Sequence, residues 1–220
     1  MILYHGSKFK IEKPEYHKDK PINDYGYGFY CTEYPDLGRE WSVGINHDGC
    51  LNIYDLDTTG LSLLDLNEYG ILTWLSVLLE NRKFELDTPL AREAVKYIKN
   101  EFGIDYKKYD LIKGYRADDS YFSFAWDFIN GVISFNQLSD AMYLGNWGNQ
   151  IVLKSRKSFE HIKWIGSETV EKEIWLPQRE KRDSSARNAY HSINREYIKG
   201  DLYIVKIIDE EIKKDDARLQ

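Results

Sequence analysis

Nine residues, Asp24–Thr32 (DYGYGFYCT), constrain this chain more than any other stretch. Gly26 and Gly28 alternate with Tyr25, Tyr27 and Phe29. Glycine at a spacing of two in a strand clears one face, so that a flat group can approach the backbone. Phe29 and Tyr30 add ring surface beside it. The same stretch also reads as an edge strand with a turn, because Tyr and Phe are ordinary strand formers. The next segment adds a second ring. Glu33–Asn46 has Pro35 near a helix start, Asp36 in the first turn, and Leu37, Trp41 and Ile45 on one helical face. A helix there turns Trp41 back over the glycine strand.

The 220 residues fit one domain, with or without an insertion, and are enough to bury a core. Met1–His5 predicts a strand that feeds a His-Gly-Ser loop, with His5 at the strand end. Lys8–Asn23, with Pro14 and Pro21, predicts loop. Cys50–Leu56 and Leu61–Leu66 predict a hairpin around Thr58-Thr59-Gly60. Asn67–Arg82 carries a broad apolar stripe, and Thr88-Pro89 opens a second helix that Gly103 closes. These two helices predict an insertion over about 67–103, beside or between sheet halves.

Tyr109–Tyr115 predicts a strand, followed by a helix from Ala117-Asp118-Asp119 to Phe128. Ser134 caps a further helix that stops at Gly145. Asn149–Ser155 (NQIVLKS) is the clearest late strand, with Gln150 near its beginning, and Phe159–Ile165 is expected beside it. Asp183–Ile198 predicts a polar helix and Leu202–Ile208 a last strand. The charged tail 209–220 is expected to be solvated.

Composition narrows the chemistry. A net charge of −6 argues against a broad phosphate-binding surface but leaves room for local basic patches, such as Arg179–Lys181–Arg182. Six Trp and 17 Tyr supply both core and ring-binding surface. Cys31 and Cys50 have no metal-ligand spacing and read as reduced thiols. The histidines match no zinc spacing, so no metal is expected. No apolar run is long enough to cross a bilayer, so no membrane partner is expected and the chain reads as cytoplasmic, or as exported by a route that leaves no Sec-type mark. Gly26 and Gly28 lead into Phe-Tyr rather than a helix N-terminus, unlike a phosphate loop. Asp118 and Asp119 fit either a general acid and base or first-turn partners of the helix dipole. His5 is either a structural histidine or part of a site. The Gly-Ser that follows exposes backbone groups of the kind that recognise an amide.

Three pieces, LYHGS at Leu3–Ser7, GYGFYCT at Gly26–Thr32 and NQIVLKS at Asn149–Ser155, resemble the three signature strands of the ADP-ribosyltransferase superfamily. The branch is the one that contains diphtheria-toxin-like enzymes and poly(ADP-ribose) polymerases. Over most of its length the chain is also similar to a bacterial family of domains of unknown function grouped with these transferases. Members of that family are often encoded beside a small partner in toxin–antitoxin-like pairs. The likeness includes YDLIKGYRADDSYF, the RDSSAR segment at Arg182–Arg187 and the DEEIKKDDARL tail.

The resemblance implies an α+β fold with a split β-sheet, two half-sheets around an NAD cleft. NAD would be a co-substrate. His5 would bond the adenosine ribose, the Gly6 backbone would hold the nicotinamide carboxamide with Ser7 beside it, and Tyr30 would stack on the nicotinamide ring. Trp41, eleven residues on, matches a second ring that relatives supply, and Gly26 and Gly28 would leave space for the heterocycle. The third motif departs from the pattern, since relatives place Glu where this chain has Gln150. Glutamine accepts a ribose hydroxyl but brings no charge to oppose a developing cation. That argues against chain elongation and for mono-ADP-ribosylation, with Asp118 or Asp119 supplying charge. The implied acceptor is a macromolecule, protein rather than nucleic acid, with a small antitoxin-like protein as a further partner. NAD hydrolysis and a catalytically inactive binding module are the alternatives.

Overall fold

The computed structural model describes residues 1–16, 23–117, 119–143, 148–192 and 197–219. Seven strands form one mixed sheet: β1 (Ile2–Ser7), β2 (Phe29–Thr32), β3 (Gly49–Leu56), β4 (Leu63–Asp65), β5 (Leu111–Tyr115), β6 (Asn149–Leu153) and β7 (Ile162–Val170). Their order is β4-β5-β6-β2-β1-β3-β7. Among the described residues only the β4–β5 pair is parallel. β6 lies inside the sheet, and its Val152 joins one core while Ile151 and Leu153 join the other. A strand covered on both faces is apolar on both faces, which is why NQIVLKS has a continuous apolar run. The expected two half-sheets are one continuous sheet with a narrow seam. β1 runs the length of β3, Ile2 opposite Asp55 through Ser7 opposite Cys50, but meets β2 only at Tyr4 opposite Thr32.

Eight helices are described: α1 (Pro35–Ser42), α2 (Ile71–Asn81), α3 (Pro89–Phe102), α4 (Asp119–Ile129), α5 (Phe135–Tyr143), α6 (Arg156–Glu160), α7 (Lys172–Ser192) and α8 (Ile204–Asp209). Local chemistry sets several of their ends. Thr88 Oγ1 accepts Ala91 N–H at 3.0 Å to start α3, with Pro89 in its first turn. Ser134 and Gln137 cap α5 reciprocally: Ser134 N donates to Gln137 Oε1 at 2.7 Å, and Gln137 N to Ser134 Oγ at 3.3 Å. Trp74, Leu78, Ile98, Phe102, Phe128 and Ile204 form the centre of one core. The two helices expected as an insertion, α2 and α3, contribute to this core. Among the described residues no helix is long and apolar enough to cross a membrane.

Several expectations are corrected. Asp24–Gly28 is a turn with Gly26 at φ +72°, so only Phe29–Thr32 is strand. His5-Gly6-Ser7 lies inside β1 rather than in a loop after it. β3 and β4 form no hairpin, because both edges of β3 are taken by β1 and β7; the chain crosses to β5, where Asp110 holds Ser62 N at 2.8 Å. Phe159–Ile165 divides between α6 and β7, and β7 pairs with β3 rather than β6. Helix α1 stops before Ile45, which is exposed in the Gly44–His47 turn. The polar helix expected from Asp183 begins at Lys172. The last strand is helix α8, whose Ile204 and Ile207 share a buried face; a short apolar run fits either period until packing selects one. The tail is anchored at buried Ile212, whose carbonyl accepts the Tyr97 hydroxyl at 3.1 Å. The expected stop at Gly145 lies outside the described residues.

Candidate functional site

A cleft of about 370 Å³ opens at the β1–β2 seam, lined in part by His5, Gly6, Tyr30, Trp41 and Gln150. Where the backbone ladder lapses, the His5 side chain bridges the strands, with Nδ1 2.7 Å from Tyr30 O. A carbonyl only accepts, so Nδ1 carries the proton and Nε2 is left as the acceptor of the neutral ring. The imidazole stacks on Phe29, centroids 4.3 Å apart. Burial pulls the His5 pKa below its ordinary value, and the bond to Tyr30 offsets this only in part.

Gly6 is required by a backbone crossing. A Cβ there would stand 2.1 Å from Gly38 O and 2.8 Å from Ser42 N, both in α1. The close approach seats α1 on β1 and brings Trp41 to the cleft. The Arg116 guanidinium lies 4.6 Å over the Trp41 ring, a cation–π contact. Among the described residues the buried Trp41 indole N–H has no hydrogen-bond partner. Tyr30 closes the preceding turn: its hydroxyl donates to Gly26 O at 2.6 Å and accepts Tyr25 N–H at 3.1 Å.

Gln150 lies beneath the opening, 3% exposed. Its amide nitrogen donates to Asp24 Oδ2 at 2.9 Å and to Tyr115 O at 3.2 Å. Both partners are acceptors, which fixes the amide orientation. Tyr115 O also accepts the Tyr25 hydroxyl at 2.6 Å and Trp74 Nε1 at 3.2 Å, so the turn, α2, β5 and β6 meet at one carbonyl. Asp24 is 5% exposed. It also takes Ala117 N–H on Oδ2 at 2.8 Å and Arg82 Nη1 on Oδ1 at 3.2 Å. Burial pushes its carboxyl pKa up, while bonds from Gln150 and Ala117 and the charges of Arg82 and Arg116 pull it back. Arg82, Arg116 and Arg179 all line the cleft, so a buried carboxylate sits under a cationic rim.

His5, Gly6, Tyr30, Trp41 and Gln150 thus share one cavity, and Ser7, Gly26 and Gly28 do not line it. Ser7 does not line the cleft; its hydroxyl donates to Phe9 O at 2.5 Å and accepts Asn52 Nδ2 at 2.9 Å. Gly26 lines a separate cavity of about 330 Å³ with Asn81, Tyr106 and Lys154. A Cβ at Gly28 would stand 2.5 Å from Val152 Cγ1 and 2.8 Å from Leu153 O. These two glycines serve the turn and its packing on β6, not the cleft. Asp118 lies outside the described residues, as does the side chain of Asp119, which begins α4.

Sequence reasoning missed Asp24, Arg82, Arg116 and Arg179 as site residues. Asp24 stood in the opening stretch as the first residue of a presumed strand. The arginines come from the end of α2, the segment after β5, and α7, and no local pattern joins them. Among the described residues no group of three or more His, Cys, Asp or Glu side chains is placed to hold a metal ion.

No curated protein and no solved structure matches the chain. A family described as "Protein of unknown function (DUF3990)" matches over residues 1–164, a span that holds every cleft residue named above except Arg179, and the chain belongs to that family.

Proposed function

We propose that the protein is an NAD-dependent mono-ADP-ribosyltransferase that modifies a macromolecule, as a bacterial toxin or conflict-system effector acting in the cytoplasm. The observation that carries this reading is the convergence of His5, Tyr30, Trp41 and Gln150 on one cleft rimmed by three arginines. The side chains fit a dinucleotide. Guanidinium groups suit a pyrophosphate, and the faces of Tyr30 and Trp41 suit a cationic pyridinium ring. His5 Nε2 is an acceptor for a ribose hydroxyl, and the buried Trp41 N–H is a donor with no partner among the described residues. NAD supplies a C1′ carbon with nicotinamide as leaving group. The chain holds the ring, orients the ribose through Gln150, and keeps His5 neutral.

Incubation with NAD labelled in the adenylate half, with and without cell extract, separates the outcomes. Label in the macromolecular fraction, lost in Tyr30→Ala, is the expected result. Label only in free ADP-ribose would make the protein a glycohydrolase. Binding of NAD without turnover would make it an inactive module. A small antitoxin-like partner is expected to suppress labelling when co-expressed.

A further inference from the structure

We propose that Asp24 supplies, through the Gln150 amide, the negative charge that a glutamine cannot provide for cleavage of the nicotinamide–ribose bond. The inference rests on the reading of the cleft as an NAD site and assigns Asp24 as a positioning residue within it. Asp24 Oδ2 lies 2.9 Å from Gln150 Nε2. An N–H held by a carboxylate polarises the amide and places more negative charge on its oxygen, the atom that would accept the ribose hydroxyl. The carboxylate is 5% exposed, so solvent screens it little. Arg82 touches only Oδ1, at 3.2 Å, leaving Oδ2 to Gln150 and the Ala117 N–H.

At Oδ2 a purely structural role does not require a charge, since the ion pair with Arg82 is made by Oδ1. Both Oδ2 bonds come from N–H donors, and a neutral amide oxygen in the same place would accept them. Burying a carboxylate is costly, and its burial beside the amide of the third signature strand gives that cost a use.

In the assigned step the bond from C1′ of the ribose to the ring nitrogen of nicotinamide breaks heterolytically. Both electrons stay on the nitrogen, so the cationic ring leaves as neutral nicotinamide. Positive charge develops at C1′, where the acceptor's lone pair forms the new bond, and the acceptor's proton passes to solvent. The Asp24–Gln150 pair faces that developing charge.

The test is nicotinamide release by the full chain, with kcat and KM for NAD measured separately and folding checked by thermal denaturation. Asp24→Asn is expected to lower kcat about 100-fold, the lower end for loss of one electrostatic contact, with KM within about threefold. The swap Asp24→Asn with Gln150→Glu moves the carboxylate to the strand, gives up the bonds to Ala117 N–H and Tyr115 O, and is expected to run faster than Asp24→Asn while staying below wild type. Gln150→Glu alone sets two carboxylates across the same contact and is expected to be at least about tenfold slower than wild type. Asp24→Asn within twofold of wild type, or a swap no faster than Asp24→Asn, overturns the inference. So does an undiminished Gln150→Glu, even if Asp24→Asn does not fold. Wild-type protein that releases no nicotinamide overturns the reading of the cleft and the inference with it, whereas active wild type with unaffected Asp24→Asn overturns the inference alone.

Discussion

The His5 imidazole is held between a carbonyl and a phenyl ring, with Nδ1 2.7 Å from Tyr30 O and its face on Phe29 at 4.3 Å. Burial makes protonation of the folded state harder than that of the unfolded chain. The unfolded histidine gains its proton near pH 6.5 and the folded one only at lower pH. In the window below pH 6.5 the unfolded state therefore binds more protons, and stability falls as the medium is acidified. Asp24, with its raised pKa, acts in the opposite direction, because the folded state takes its proton first on acidification. The two effects separate by substitution. Between pH 7.5 and 5.5 the Tm of the wild type should fall more than that of His5→Gln. Equal declines in the two proteins would show that the buried imidazole does not set this slope.

At the scale of elements, the crossing of α1 over β1 places Trp41. Gly6→Ala drives a Cβ into the backbone of α1, at 2.1 Å from Gly38 O. The expected cost is about 3 kcal/mol, the upper end of ordinary overpacking, or a Tm lowered by roughly 6–12 °C for a chain of this size. Gly166 in β7 is the control, since a Cβ there meets nothing within 4 Å; Gly166→Ala should shift Tm by less than about 4 °C. Equal losses at the two sites would contradict the close crossing. Elements bounded by local chemistry were legible in the sequence: α3 between Thr88-Pro89 and Gly103, α5 from Ser134, and β6 as a continuous apolar run. Elements decided by competition for edges or cover were not. The chain after β3 could not be assigned until β1 and β7 were seen to occupy that strand, and Leu202–Ile208 needed its buried neighbours to settle on the helical period. At the cleft, His5, Tyr30 and Gln150 lay in recognisable strand motifs, and Trp41 followed from helix spacing. Asp24 and the three arginines meet only in the tertiary structure.

At the scale of the whole molecule, a chain of net charge −6 gathers Arg82, Arg116 and Arg179 around one opening. Such an arrangement repels polyanions in general while favouring a small phosphate-bearing ligand at the cleft. Arg179 is the simplest of the three to test, because its Nη1 bonds the Val43 carbonyl at 3.2 Å rather than Asp24. Arg179→Ala should raise the KM for NAD about tenfold, equivalent to about 1.4 kcal/mol, with kcat within about twofold. An unchanged KM would remove Arg179 from substrate binding. The proposed activity as a whole requires the nicotinamide ring to take the face of Trp41 that Arg116 now covers at 4.6 Å. A crystal structure of the full chain with a non-cleavable NAD analogue measures this directly. The predicted result places the nicotinamide ring against Tyr30 and Trp41, with Arg116 displaced and the 2′-hydroxyl of the adjoining ribose bonded to Gln150 Oε1. An analogue bound outside the cleft, or one whose ring leaves Arg116 on Trp41, would contradict the account.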